Sequence, residues 1–197
     1  MPFLHLDPLA LIQALGYIGI FSIVLAESGI LIGFFLPGDS LLLTAGLLAS
    51  QDVLSLPWLL VIIPIAAIAG DSIGYWFGTF IGPRIFTRED SFFFNKGHVE
   101  RASAFYKKHG PKALVLARFL PVIRTFIPIL AGVGRMDYNK FLVYNAVGGI
   151  LWSVVFVLLG YFLGRVVPNI EHYIVPIIAT VIILSLIPTV IEWRRNR

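Results

Sequence analysis

RFLPVIRTFIPILAG, residues 118–132, sets two permanently charged guanidiniums, Arg118 and Arg124, among leucine, isoleucine and phenylalanine, with Pro121, Pro128 and Gly132 interrupting the run. The uncharged pieces around the arginines, 113–117, 119–123 and 125–134, fall well short of the roughly 20 apolar residues an α-helix needs to cross a bilayer. Proline inside a helix removes a backbone hydrogen bond and clashes with the preceding turn, so Pro121 and Pro128 mark expected breaks. The segment reads as a hairpin that enters the membrane and turns back. Irregular backbone at that depth survives only against protein or a water-filled cavity, so the hairpin is expected to line something wet.

The rest of the chain supplies the membrane. It is 58% hydrophobic and 13% charged, with mean hydropathy +0.88, where an average soluble domain carries roughly 25% charged residues. Uncharged runs at 8–26, 53–70, 141–164 and 173–191 approach or reach spanning length, which gives an all-α polytopic membrane protein of about four spanning helices. The opening MPFLHLD has an acid and no base ahead of the first apolar run, so no signal peptide is expected. With no cysteine, and with His5, His98, His109 and His172 scattered without ligand spacing, neither a metal site nor a cofactor is expected.

Charge is distributed unevenly. Asp7, Glu27, Asp39, Asp52 and Asp71 all precede the first base, Arg84. Seven of the fifteen Lys and Arg residues lie from Arg84 to Lys112, and three more are Arg194, Arg195 and Arg197. The positive-inside rule turns both groups toward the cytoplasm. Spans 53–82 and 171–192 then run inward, 139–164 runs outward, and the first span runs outward from a cytoplasmic amino terminus, with both termini inside. Such basic flanks report orientation and attraction to anionic lipid, not a nucleic-acid partner.

A second broken segment lies upstream, where Pro37, Gly38 and Asp39 divide the apolar pieces 28–38 and 40–51. An internal echo links it to the first. FLP recurs at 35–37 and 119–121, AG at 45–46 and 131–132, and GYxxG at 74–78 and 160–164, with offsets of 84, 86 and 86. The expected organisation is one membrane domain with an inverted repeat. Repeat one covers about 9–82 with re-entrant hairpin 27–50, and repeat two about 113–165 with re-entrant hairpin 113–134. Between them, 83–112 forms a cytoplasmic loop whose NKGHVERASAFYKKHGP (95–111) has the spacing of a short interfacial helix. Asp137 is placed to cap the third span, and a last span follows at 171–192.

Four charges fall in the broken segments: Glu27 and Asp39 in the first, Arg118 and Arg124 in the second. Each costs at least about 2.5 to 3.5 kcal/mol to insert, so each needs a partner or a function. If the hairpin tips meet, two acids and two bases form one buried, hydrated cluster. Paired arginines present planar donor forks that suit phosphate, and no lysine accompanies them. The reading is a transporter in which Arg118 and Arg124 bind a phosphate-headed lipid and Glu27 and Asp39 couple or gate its movement by exchanging protons. Asp71 and Asn145 are secondary candidates, read first as hydrogen-bonding glue within the bundle. An alternative is a proton-coupled carrier of a small solute or cation, for which the acids alone form the site. An enzyme is not expected, because the histidines lie away from the hairpins and no histidine nucleophile stands near the arginines.

ESGILIGFFLPGDSLLLTAG (27–46), GDSIGYWFG (70–78), ARFLPVIRTFIPILAGVG (117–134) and YNAVGGILW (144–152) together closely resemble the DedA family of bacterial inner-membrane proteins, over about residues 20–190. The resemblance implies two facing re-entrant hairpins, with Glu27, Asp39, Arg118 and Arg124 as the functional residues. It also implies lipid translocation in the inner membrane, of undecaprenyl phosphate or a phospholipid such as phosphatidylethanolamine, with effects on proton-motive force and envelope integrity. Homo-oligomerisation stays open.

Overall fold

The computed structural model describes residues 8–29, 38–81 and 96–166, and these are helical apart from short turns. The expected carboxy-terminal span at 171–192, Pro37, and most of the loop after residue 81 lie outside the described residues.

The two longest uninterrupted apolar runs become helix α3 (Leu56–Ile81) and helix α7 (Tyr138–Val166), both long and apolar enough to cross a membrane. Their outward side chains are apolar, among them Val61, Ile65 and Ile73 on α3 and Val147, Ile150 and Leu159 on α7, while Asp71, Asn145 and Ser153 are buried. Trp58 and Trp76 are also exposed on α3; at 1.5 Å per residue they stand about 27 Å apart, close to the thickness of a hydrocarbon core. The helices run antiparallel. Asn145 Nδ2 donates to the Ile68 carbonyl (3.0 Å), Tyr138 donates to Ser72 Oγ (3.3 Å), and the Tyr75 and Phe141 rings lie 4.5 Å apart. As expected, Asp137 caps α7, its carboxylate accepting from the Lys140 amide at 2.9 Å.

Two shorter helices lie along these long ones. Helix α2 (Gly38–Ser50) packs on α7, while helix α6 (Pro121–Val133) packs on α3. Each contact depends on glycine. A Cβ on Gly46 would fall on the Val157 carbonyl and one on Gly160 on the Leu43 carbonyl; likewise Gly132 meets the Tyr75 carbonyl and Gly78 the Ile129 carbonyl. Close backbone approach of this kind gives membrane helices the dispersion contact that lipid-facing leucines cannot supply. Each short helix ends in the same left-handed cap. Asp52 (φ 58) and Arg135 (φ 50) adopt the positive φ, and Val53 N–H and Met136 N–H reach back to the Leu48 and Ala131 carbonyls.

These equivalences revise the sequence echo. The packing positions of α2 and α6 differ by 86 residues (46 and 132; 43 and 129), but those of α3 and α7 differ by 82 (78 and 160; 75 and 157). Gly78, not Gly74, is therefore the counterpart of Gly160. Most of the difference lies after the packing glycine: α2 and α6 are both 13 residues long, but Gly46 stands six residues before its cap and Gly132 three before its own.

Two further expectations change. Helix α1 (Pro8–Gly29) is continuous and runs parallel to α3, not opposite to it. The Ser55 amide donates to Tyr17 Oη (2.6 Å) near the middle of α1, and Gly29 packs on the Gly70 backbone at its end. Hydropathy fixes the length of such a helix but carries no direction; the two glycine backbones in contact set it. From Gly16, beside Leu54, to Gly29, α1 accompanies α3 only about halfway. Pro128 does not break its segment either, since α6 runs through it. It forgoes one amide donor, and the break falls at Leu120 (φ −120, ψ 96), the extended residue that a following proline favours, with Pro121 opening α6.

Helix α4 (Lys96–His109) turns Phe105 and Tyr106 into an apolar cluster with Tyr75, Phe126 and Phe141. A tight turn at 110–112 and helix α5 (Ala113–Leu116) lead to a second tight turn at 117–119 that carries Arg118. Another cluster, with Val24, Leu42, Leu59 and Ile63 at its centre, fills the opposite end.

Candidate functional site

The site forms where the broken ends meet the middle of the long helices. Glu27 stands in the last turn of α1 and Asp39 in the first turn of α2, where a carboxylate also favours the positive end of the helix dipole. Gly38 is pressed on the Glu27 carboxyl so closely that a Cβ there would overlap it. Arg124, in the first turn of α6, takes both acids: Nη1 donates to Asp39 Oδ1 at 2.8 Å and Nη2 pairs with Glu27 Oε1.

Arg118 has different partners from those the sequence proposed. Its Nη2 pairs with the Asp71 carboxylate from α3 and donates to Asn145 Oδ1 from α7 at 2.6 Å. Asp71 and Asn145, read from sequence mainly as bundle glue, are thus direct ligands of a predicted site arginine. Asn145 does both, since its amide also holds the Ile68 carbonyl. The expected balance of two acids and two bases becomes three carboxyls against two guanidiniums.

One participant went unnoticed as a site residue. Trp152, at the midpoint of α7 and 1% exposed, donates Nε1–H to Asp39 Oδ1 at 2.8 Å. Its ring lies 5.2 Å from the Arg124 guanidinium and 6.0 Å from that of Arg118, so a single indole joins the two ion-paired groups. The signal was present in YNAVGGILW, where a tryptophan follows two glycines by three residues: Gly148 and Gly149 make the room into which Arg118 extends.

Solvent access is graded. The Glu27 side chain is 2% exposed, Arg118 6%, Arg124 14% and Asp39 33%, which makes Asp39 the member at the rim. Ser28, Asp71, Arg118, Arg124, Thr125 and Trp152 share a cavity of about 10 Å³, on the order of a single water. Glu27 Oε2 and Arg118 Nε have no hydrogen-bond partner among the described residues. Both guanidiniums are held by the protein's own carboxylates, and the space beside them is too small for a larger group.

Residues 36–162 match the VTT domain. The chain is 39% identical over 183 residues to protein DedA of Escherichia coli K12, covering 92% of this chain and 83% of that one. It is 42% identical over 176 residues to the membrane protein ML0287 of Mycobacterium leprae (89% and 78% covered). It is also 32% identical over 149 residues to the inner membrane protein YqjA of Escherichia coli K12 (76% and 68% covered). No solved structure matches.

Proposed function

The chain belongs to the DedA family of VTT-domain membrane proteins, and from that premise we propose that it carries a phosphate-headed lipid across the bacterial inner membrane. The observation that carries this reading is the convergence of two buried guanidiniums on one cavity, each neutralised by carboxylates instead of by a permanent structural lattice. A phosphate offers an arginine the same bidentate geometry as a carboxylate. It can therefore replace Asp39 on Arg124 and Asp71 on Arg118 without leaving a bare buried cation. Protonation of Glu27 or Asp39 would release Arg124 to the headgroup, and loss of that proton would take the arginine back and expel it. The cavity has to widen at each passage. The acyl or prenyl chains stay in lipid beside the apolar outer faces of α3 and α7.

In this reading α1 with α2, and α5 with α6, are two re-entrant hairpins entering from opposite faces. The basic stretch that includes α4 puts the α6–α7 turn in the cytoplasm, which leaves the start of α1 and the α2–α3 turn on the outer side. The activity is transport, not phosphate-ester cleavage.

Reconstitution into liposomes tests the proposal, with undecaprenyl phosphate, phosphatidylethanolamine and a phosphate-free diacylglycerol as competing cargo. Wild-type transfer of a phosphate-headed lipid, lost in Arg124→Ala and weakened when the proton gradient is collapsed, is the expected result. A second reading, proton-coupled movement of a small cation, draws on the excess of three carboxyls over two guanidiniums. It requires headgroup binding to be unchanged in Arg118→Ala, whereas lipid transport requires it to fall.

A further inference from the structure

At the opposite end from α4, a second cavity of about 650 Å³ opens between α1, the α2–α3 turn and the end of α7. It is far larger than the space around the arginines and within the range of small-molecule sites. Its lining includes Tyr17, Trp58 and Tyr161 together with Ser55 and the exposed Asp52, the only charged residue among the described lining. The Ser55 amide fixes Tyr17 through its hydroxyl at 2.6 Å. Tyr161 already carries a cation on its ring, the Arg165 guanidinium at 4.9 Å. Trp58 is 62% exposed in the first turn of α3, and tryptophan at the end of a spanning helix is typical of an interfacial aromatic belt. On every helix that reaches both sites, a fully buried apolar residue intervenes: Val24 on α1, Leu42 on α2, Ile63 on α3 and Val157 on α7. The two sites are separate.

We propose that this cavity binds an organic ammonium group, with Asp52 as counter-ion and the three aromatic rings as its walls. One carboxylate among aromatic faces attracts a diffuse, weakly hydrated cation through charge and ring quadrupole together. The same set is poor in oxygen ligands and so does not suit Ca²⁺ or Mg²⁺, which take six or more. The one cation nearby, Arg165, is engaged on the Tyr161 ring and does not line the cavity, so the set does not suit a lone phosphate. The ammonium can come from a lipid headgroup or from a dissolved amine.

Asp52 supplies a clean test because of its backbone. At φ 58 it occupies a cap position that glycine fills without strain. Asp52→Gly should melt no lower than wild type while losing the carboxylate. The full chain is placed in phosphatidylglycerol nanodiscs doped with phosphatidylethanolamine or phosphatidylcholine, and retained lipid is counted by native mass spectrometry. In parallel, choline chloride is titrated against sodium chloride in detergent, reading tryptophan emission with Trp58→Phe as the signal control. Wild type is expected to enrich ammonium-headed lipid roughly fivefold to tenfold over phosphatidylglycerol, and Asp52→Gly and Trp58→Ala to bring that ratio toward one. Lipid enrichment without a choline response assigns a headgroup site; a choline response without enrichment assigns a soluble amine. No preference in either arm, or a preference that Asp52→Gly leaves intact, overturns the proposal.

Discussion

Arg124 binds two acids from α1 and α2, one of them almost wholly enclosed, so its removal does more than delete a ligand. Arg124→Leu leaves Glu27 buried without a counter-ion, and a loss of about 3 to 5 kcal/mol is expected. Glu27→Leu combined with Arg124→Leu should recover most of that loss while transport stays absent, as measured by thermal unfolding in detergent beside the liposome assay. A double variant as unstable as the single would show that the two side chains are not coupled. Trp152 allows a finer dissection. Trp152→Phe keeps a ring near both guanidiniums but loses the Nε1–H bond to Asp39, and should slow transport roughly tenfold to a hundredfold, the weight of one hydrogen bond to a charged group. Trp152→Leu, without the ring, should cost more; equal rates for the two would mean that the indole acts only by filling space.

Between elements, glycines set the distance. Gly46→Val and Gly132→Val both drive a side chain into a facing carbonyl, and each should lower stability by about 1 to 3 kcal/mol, whereas Gly19→Val, which meets nothing nearby, should not. Melting temperatures of the three variants check this. Much at this scale was legible from sequence. α3 and α7 announced themselves by length, and the breaks at Pro121 and Gly38 by residue type. α4 was marked by the spacing of Phe105 and Tyr106 and by its Gly110–Pro111 stop. The meeting of Glu27 and Asp39 with Arg124 followed from the cost of burying these charges singly. The partner of Arg118 did not. Asp71 lies on a spanning helix outside both broken segments, and only the antiparallel crossing of α3 and α7 beside α5 brings it under that arginine. The direction of α1 was hidden for a related reason: it is set by Gly29 against Gly70, a contact between residues 41 positions apart that no hydropathy window can register.

For the whole molecule, the parallel arrangement of α1 and α3 makes an orientation testable in cells. The chain has no cysteine, so single ones report cleanly. Leu9→Cys and Asp52→Cys should react with a membrane-impermeant maleimide in intact cells, and Arg135→Cys only after permeabilisation; labelling of position 9 with the Arg135 group would reverse the assignment. The packing of α2 and α6 also bears on how the protein is made. The α2 segment leaves the ribosome 88 residues before the first residue of α7, the helix it packs on, has been made. At roughly 5 to 20 residues per second it waits on the order of ten seconds for its mate. During that interval its glycine face and Asp39 are without their final neighbours, which makes the nascent first half a natural client of insertion machinery. The same dependence implies that two separately expressed fragments, divided within residues 83–95, should each be degraded alone and accumulate together.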